Sequence, residues 1–253
     1  MAETLTTELS RSDEAFAGNQ LLSTFADEAR ALIEPFGSVV QLDAGEVALS
    51  RGEQVLASLF PFDSTMISMA VELESGRSVE VALIGRRGAV GGIISCGQAP
   101  AFTRAIVLVG GPALRVPMKA LEDAKQRSPF IGNLFCRFSD YLLSQVMQSV
   151  ACNAYHSIPE RTARWLLHAQ DRTGDRIELT QQALAGLLGA QRTTVNAVIQ
   201  AFERDGLIAT GRGVIRVEDR AGLTSRSCEC YRRLEEHFGA VIGESGSGPV
   251  SPR

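Results

Sequence analysis

Between about Val39 and Pro117 the chain runs in short apolar and polar alternations separated by glycine: SVVQLDAGEVAL, TMISMAVEL, SVEVALIG, AIVLVGG and ALRVP. A period of two sends successive side chains to opposite faces of a strand, and the turn signals between the runs predict an all-β roll or sandwich. In MAVELESGRSVEVAL two such runs flank Glu74-Ser75-Gly76-Arg77, where Gly76 can take the positive φ that a hairpin turn needs.

From Met118 the period lengthens to that of a helix. The stretch PMKALEDAKQRSPFIGNLFCRFSDYLLSQVMQSVACNAYHS predicts a short helix to about Gln126, a break at Ser128-Pro129 and then about 25 helical residues. One stripe runs Ile131, Leu134, Phe138, Tyr141, Gln145, Gln148 and Cys152, and a second runs Phe135, Leu142 and Val146. Two stripes imply two neighbours: either both are buried in one core, or one rests on the β domain and the other on a second copy of the chain. Gln145 and Gln148 make the first stripe partly polar, so Ile131, Leu134, Phe138, Tyr141, Gln145 and Gln148 are assigned to the dimer seam. Ile158 to Thr173 is a further amphipathic helix, with Pro159 in its first turn where a missing N–H is harmless.

The pattern then shortens again in LTQQALAGLLGAQRTTVNAVIQAFERDGLIATGRG, from Leu179 to Gly213. Thr180 can cap a helix from Gln181 to Leu188, Gly189 permits a sharp turn, and a second helix runs from about Gln191 to Asp205. Val195, Val198, Ile199 and Phe202 fall on its inner face, leaving Gln191, Arg192, Thr193, Asn196 and Ala197 outside. Gly206 is a helix stop, and LIATGRGVIRVED reads as two strands about Gly211-Arg212-Gly213. Helix, tight turn, helix and hairpin in this order is a winged helix-turn-helix. Arg192 can reach guanine O6 and N7 in the major groove, the hydroxyls of Thr180 and Thr194 can bond phosphate, and Arg212 on the wing can add a charge contact.

These residues are similar to the signature T-x-x-x-(I/L)-A-x-x-x-G-x-(S/T)-R-x-T-V, followed by a helix and x-G-L-I, of the Crp/Fnr family of bacterial transcription regulators. The resemblance covers nearly the whole chain. It implies that Thr180, Gln181 and Gln182 lie near phosphates and that Arg192, Thr193 and Asn196 lie at base edges. The fold it implies is α+β: a jelly-roll-like β-roll of the cyclic-nucleotide-binding type, a long dimerisation helix and a C-terminal winged helix-turn-helix. The expected division is a polar tail (1–18), the β-roll effector domain (19–118), a linker with the dimerisation helix (119–154), the DNA-binding domain (155–242) and a disordered end (243–253).

The sequence departs from the family where cyclic AMP is held. Against the cassette G-E-L…R-S-A it has RRGAVGGIISCGQAPAFTRAIVLV, with Gly92 at the glutamate position and Thr103-Arg104 in place of Arg-Ser. No ordinary cyclic-AMP response is expected, and the effector is left unidentified. Arg86, Arg87 and Arg104, with Gly91 and Gly92 of the glycine-rich loop, are candidates for an anion pocket, the alternative being solvated arginines. The phosphate-loop spacing is absent.

Composition narrows the partners. The net charge of −4 excludes a protein that is basic throughout, but Met1 to Ser50 holds nine acids against two bases, whereas Gln191 to Arg216 holds four arginines against two acids. Any nucleic-acid surface is therefore local. No apolar run approaches the roughly 18 residues of a membrane span, so a cytoplasmic protein without a membrane partner is expected. Five cysteines scattered over a chain of this length fit reduced thiols rather than a disulfide framework.

No cofactor and no metal ion is predicted. Cys152, His156, Cys228 and Cys230, with His237, are the residues that would make a soft-metal or redox site if the C-terminal segment folded back on the base of the long helix. The three histidines lie at 156, 168 and 237, outside the β domain, which leaves Cys96 alone there as a haem ligand candidate. No nucleophile–histidine grouping or carboxylate pair marks an enzyme. The expected protein is a homodimeric DNA-binding regulator that recognises a near-palindromic operator, with RNA polymerase a further candidate partner; a metal- or redox-sensing regulator using the cysteines is the alternative.

Overall fold

The computed structural model describes residues 16–62, 64–93 and 99–243. Most of the expected N-terminal tail, nearly all of the expected disordered end, and Cys96 lie outside the described residues. Phe16, which falls within the expected tail, is instead a core residue. Its ring meets Phe25 edge-on at 6.1 Å, and the Arg30 guanidinium lies 4.6 Å over its face.

The alternating runs form two antiparallel sheets. One has the order β1 (Ser38–Leu42), β7 (Gly111–Pro117), β3 (Ala57–Pro61), and the other β2 (Val47–Leu49), β6 (Arg104–Val109), β4 (Met66–Glu72), β5 (Ser78–Ile84). In β6 the alternation is clean: Ala105, Val107 and Val109 are buried while their neighbours are half-buried. Strand β3 escapes a period-two reading because Ser58, Leu59, Phe60 and Pro61 are all buried, and a strand covered on both faces does not alternate. Between β4 and β5, Gly76 takes φ +75° and closes the hairpin through its N–H to the Leu73 carbonyl.

A short helix, α1 (Asp27–Arg30), precedes the roll. After it come α2 (Met118–Arg127) and the long helix α3 (Pro129–Tyr155). Ser128 caps α3 by accepting from the Ile131 N–H, and Pro129 occupies its first turn. The head comprises α4 (Ile158–Thr173), β8 (Arg176–Ile177), α5 (Gln181–Leu187), α6 (Arg192–Arg204), the hairpin β9 (Ile208–Gly211) and β10 (Val214–Val217), and α7 (Arg220–Arg226). A last helix, α8 (Cys230–Val241), returns along α3: His237 meets Asp140 at 2.9 Å and the Phe238 ring meets Tyr141 edge-on at 4.9 Å. The fold is the expected α+β arrangement of roll, long helix and winged head.

Two apolar cores hold these parts. One fills the roll and its contact with α2 and α3. The other fills the head and reaches Met66, Leu83 and Val109 of the roll, so the head is docked on the β4–β5–β6 sheet.

Candidate nucleic-acid interface

The head is built so that one short helix is held firmly and turned outward. Val195, Val198, Ile199 and Phe202 of α6 are buried against the second core, each contributing roughly 1.5–3 kcal/mol of burial. Thr180 caps α5 through a 3.1 Å bond from the Ala183 N–H. Gly189 takes φ +61° in the turn between the helices, a conformation that a side chain would strain. At the end of α5 the buried Arg161 guanidinium donates to the Leu188 carbonyl, placing a cation on the negative end of the helix. The wing is fixed to α6 by Glu203, which accepts from Thr210 N–H at 2.9 Å and from its hydroxyl at 2.7 Å.

The exposed face gathers most of the residues singled out in the sequence. Thr180, Gln181 and Gln182 line one groove together with Arg192 and the wing residues Thr210, Gly211 and Gly213. Gln191, Arg192, Thr193 and Thr194 are exposed; Asn196 is half-buried, with a side-chain oxygen that is enclosed and without a partner. Gln191 provides no side-chain cap to α6, whose Thr194 N–H donates instead to the Gln191 carbonyl at 3.1 Å. Among the described residues no carboxylate pairs with Arg192 or Arg212.

Two further arginines belong to this face and were missed in the sequence. Arg216 on β10 stands directly opposite Arg176 on β8, both exposed, and both border the same depression as Arg212. Arg176 is shared with Glu178 at 3.4 Å, and like charges facing each other across antiparallel strands are unfavourable, a repulsion that an anion would relieve. The signal was unreadable because β8 is two residues long and its pairing is set by the fold.

The seam assigned on the long helix is corrected. Ile131, Leu134, Phe138, Tyr141 and Gln145 are buried within the chain, the aromatic rings against the roll and α8, and Gln148 donates to Cys230 Sγ at 2.9 Å. The stripe is covered by the roll at Ile131, Leu134 and Phe138 and, from Tyr141 on, by the protein's own C-terminal helix, an event far away in sequence. The opposite side of α3 is bare instead: Leu143, Met147 and Val150 are 50%, 61% and 67% exposed, at the four-and-three spacing of a helix seam.

The candidate effector residues are not brought to one seat. Arg87 is bound to Glu235 of α8 and lies 5.1 Å over the Phe238 ring, whereas Arg104 pairs with Glu72 at 2.7 Å on the sheet surface. Arg86 holds the N-terminal segment through its carbonyl, which accepts from Gln20 N–H at 2.7 Å. Gly91 and Gly92 have φ of +95° and +65°, and a Cβ on them would strike Ala57 O and the Met118 side chain. These glycines serve close packing of the loop on its own chain.

The head meets the roll through a buried carboxyl. Glu80 of β5 accepts from the Trp165 indole at 2.8 Å and from the Ser68 hydroxyl at 2.6 Å. Burial outweighs those donors and the nearby Arg164 and Arg172, raising its pKa from 4.5 to about 7. His168, also fully enclosed, is pushed well below the usual imidazole range by burial and by the surrounding arginines. The cysteine candidates do come together: one ligand atom from each of Cys152, His156, Cys228 and Cys230 lies within 4.8 Å of all the others.

The Crp-like helix-turn-helix domain family profile matches residues 160–226, the segment that carries this face. The chain is 43% identical over 70 residues to the HTH-type transcriptional regulator Cmr of Mycobacterium tuberculosis, a match covering 28% of this chain and 28% of that protein. It is 25% identical over 201 residues to the CRP-like cAMP-activated global transcriptional regulator of the same organism, covering 74% of this chain and 87% of the relative. The solved structure of FixK2 from Bradyrhizobium japonicum superposes with a TM-score of 0.66 at 15% identity, over 76% of this chain and 98% of that one. The two mycobacterial relatives are named as transcriptional regulators. Among the described residues, no helix is long and apolar enough to cross a membrane.

Proposed function

We propose, from the premise that this chain belongs to the Crp/Fnr family of transcriptional regulators, that two copies joined along α3 bind a near-palindromic operator in the cytoplasm. The observation that carries the reading is the single outward face on which Thr180, the first turn of α6 and the wing border one groove, with Arg192 and Arg212 lacking carboxylate partners among the described residues. Two such faces related by a two-fold axis would enter grooves roughly 34 Å apart. The bare stripe of Leu143, Met147 and Val150 supports α3 as the seam. RNA polymerase is the partner that a promoter-bound dimer would meet.

The effector acts at the roll and is not cyclic AMP. One relative is named as cAMP-activated, but this chain has Gly92 and Thr103-Arg104 at the positions that would hold the ribose and phosphate, and Arg104 is committed to Glu72. Titration calorimetry should show no binding of cyclic AMP at micromolar concentration. A change at the roll would reach DNA by shifting how β5 and α4 meet at Glu80 and Trp165.

Sequences selected from random duplexes should supply the operator. On it, Arg192→Ala is expected to lose about 10- to 100-fold in specific affinity while changing non-specific binding little. Arg212→Ala and Arg216→Ala should weaken both kinds of binding and lower the slope of log affinity against log salt by about one each. Anisotropy titrations over a range of salt check both; variants that bind like the parent would refute the assigned face.

A further inference from the structure

We propose that Cys152, His156, Cys228 and Cys230 form a closed tetrahedral site for a zinc ion, which clamps the C-terminal helix and the hinge of the head to the end of the long helix. The inference does not rest on DNA binding. Cys152 lies in the last turn of α3, and His156, four residues on, is its C-cap, so both fall on one side of the helix end. Cys228 and Cys230 flank Glu229 at the start of α8.

The distances fit a mononuclear centre. Cys152 Sγ is 3.6 Å from Cys228 Sγ, and Cys230 Sγ is 3.4 Å from His156 Nδ1. A tetrahedron with Zn–S arms of about 2.3 Å and Zn–N arms of about 2.0 Å has edges of about 3.8 Å between sulfurs and about 3.5 Å between sulfur and nitrogen. The cluster is too tight for a two- or four-iron cluster, whose four ligands are divided among separate irons and so cannot all lie within 4.8 Å of one another.

The surroundings are those of a metal site as well. His156 Nε2 lies 3.2 Å from Glu229 Oε2, the outer carboxylate that orients a ligating imidazole and leaves Nδ1 for the ion. The Gln148 amide donates to Cys230 Sγ at 2.9 Å, as a thiolate ligand requires. All three cysteines are free and buried, and they form a cluster apart from both apolar cores. Three thiolates and one imidazole leave no open position, so the ion would be structural and not catalytic.

The ligands join the ends of three segments, adding a clamp at the start of α8 to the contacts of Phe238 with Tyr141 and of His237 with Asp140 farther along it. Cys152 closes the long helix, His156 stands in the two-residue connection to α4, and Cys228 and Cys230 anchor α8, which covers Tyr141 through Phe238. Loss of the ion frees α8 and the hinge together, and with them the orientation of the head.

The full-length protein, purified under reduction and equilibrated with Zn²⁺, should retain about one zinc per chain after dialysis, and Co²⁺ in its place should give the intense d–d absorption of a tetrahedral thiolate site. Cys152→Ser and Cys228→Ser should hold less than about a tenth of that, Glu229→Gln should bind zinc about 10- to 100-fold more weakly, and Cys136→Ser, on an exposed thiol, should be unchanged. A wild-type chain that keeps no metal, or a weak octahedral Co²⁺ spectrum, would overturn the proposal even if the serine variants fail to fold. So would folded serine variants with full metal content, or a Cys152–Cys228 disulfide that forms in place of metal binding.

Discussion

Met147→Glu is expected to leave the chain folded but monomeric, and to weaken binding to a full operator by about 100-fold or more. Met147 is 61% exposed on a side of α3 that none of the described residues covers, with Leu143 and Val150 one turn before and after it. Removing an exposed apolar side chain takes little from the monomer. Across a two-fold seam the two introduced carboxylates would face each other in an apolar strip, where charge repulsion and desolvation act together. Operator affinity then falls because the second head loses the effective concentration that tethering supplies, an advantage of about 10²- to 10⁴-fold. Binding to an isolated half-site should be unchanged. Sedimentation equilibrium and anisotropy on full and half operators provide the check; a variant that remains dimeric would return the seam to another surface. Tyr141→Glu is the contrasting case, since Tyr141 is 1% exposed and packed edge-on against Phe238. That change should unfold the contact with α8 without reporting on dimerisation.

The second large effect concerns pH. Glu80 has a pKa of about 7 against an ordinary 4.5, so the folded protein holds a proton that the unfolded chain releases in that interval. Stability from this group is complete below about pH 4.5 and declines as pH rises through 7, by an amount on the order of 3 kcal/mol. Glu80→Gln keeps a carbonyl to accept from Trp165 but cannot ionise. Its unfolding free energy should therefore lack that decline and exceed the parent's at pH 8. His168 acts in the other direction: its lowered pKa stabilises the fold above the imidazole range and is lost as pH falls below about 6.5. The difference between the two unfolding profiles isolates Glu80. Trp165, the one tryptophan of the chain, reports the contact directly, and its emission should change between pH 6 and 8 in the parent only. Parallel profiles would show that Glu80 is ionised or solvated at the head–roll junction. If they diverge as expected, alkaline conditions loosen the docking of the head.

The parts of this protein that rest on near neighbours along the chain are legible in its residue order. Alternation in AIVLVGG becomes β6, Ser128-Pro129 becomes the break and cap of α3, and Thr180, Gly189 and Val195 to Phe202 become the helices and turn of the head. Each depends on backbone geometry over a few residues, where period, capping and positive φ are written in residue types. The outward residues of the head are legible for the same reason, because outward positions on an amphipathic helix follow from the inward ones.

What the chain could not announce was which distant segment would cover which surface. Both stripes of the long helix are visible in the sequence, yet the one assigned to a second copy is filled by the roll and by α8, about a hundred residues later. Arg176 faces Arg216 only because β8 joins the wing, and Cys152 meets Cys228 only because the last segment folds back. Residue order specified the elements, their caps and the outward face of α6, since those are local conformational preferences. The burial of Tyr141, the raised pKa of Glu80 and the cysteine–histidine quartet came from long-range folding, since competition among remote surfaces for the same contact has no local pattern.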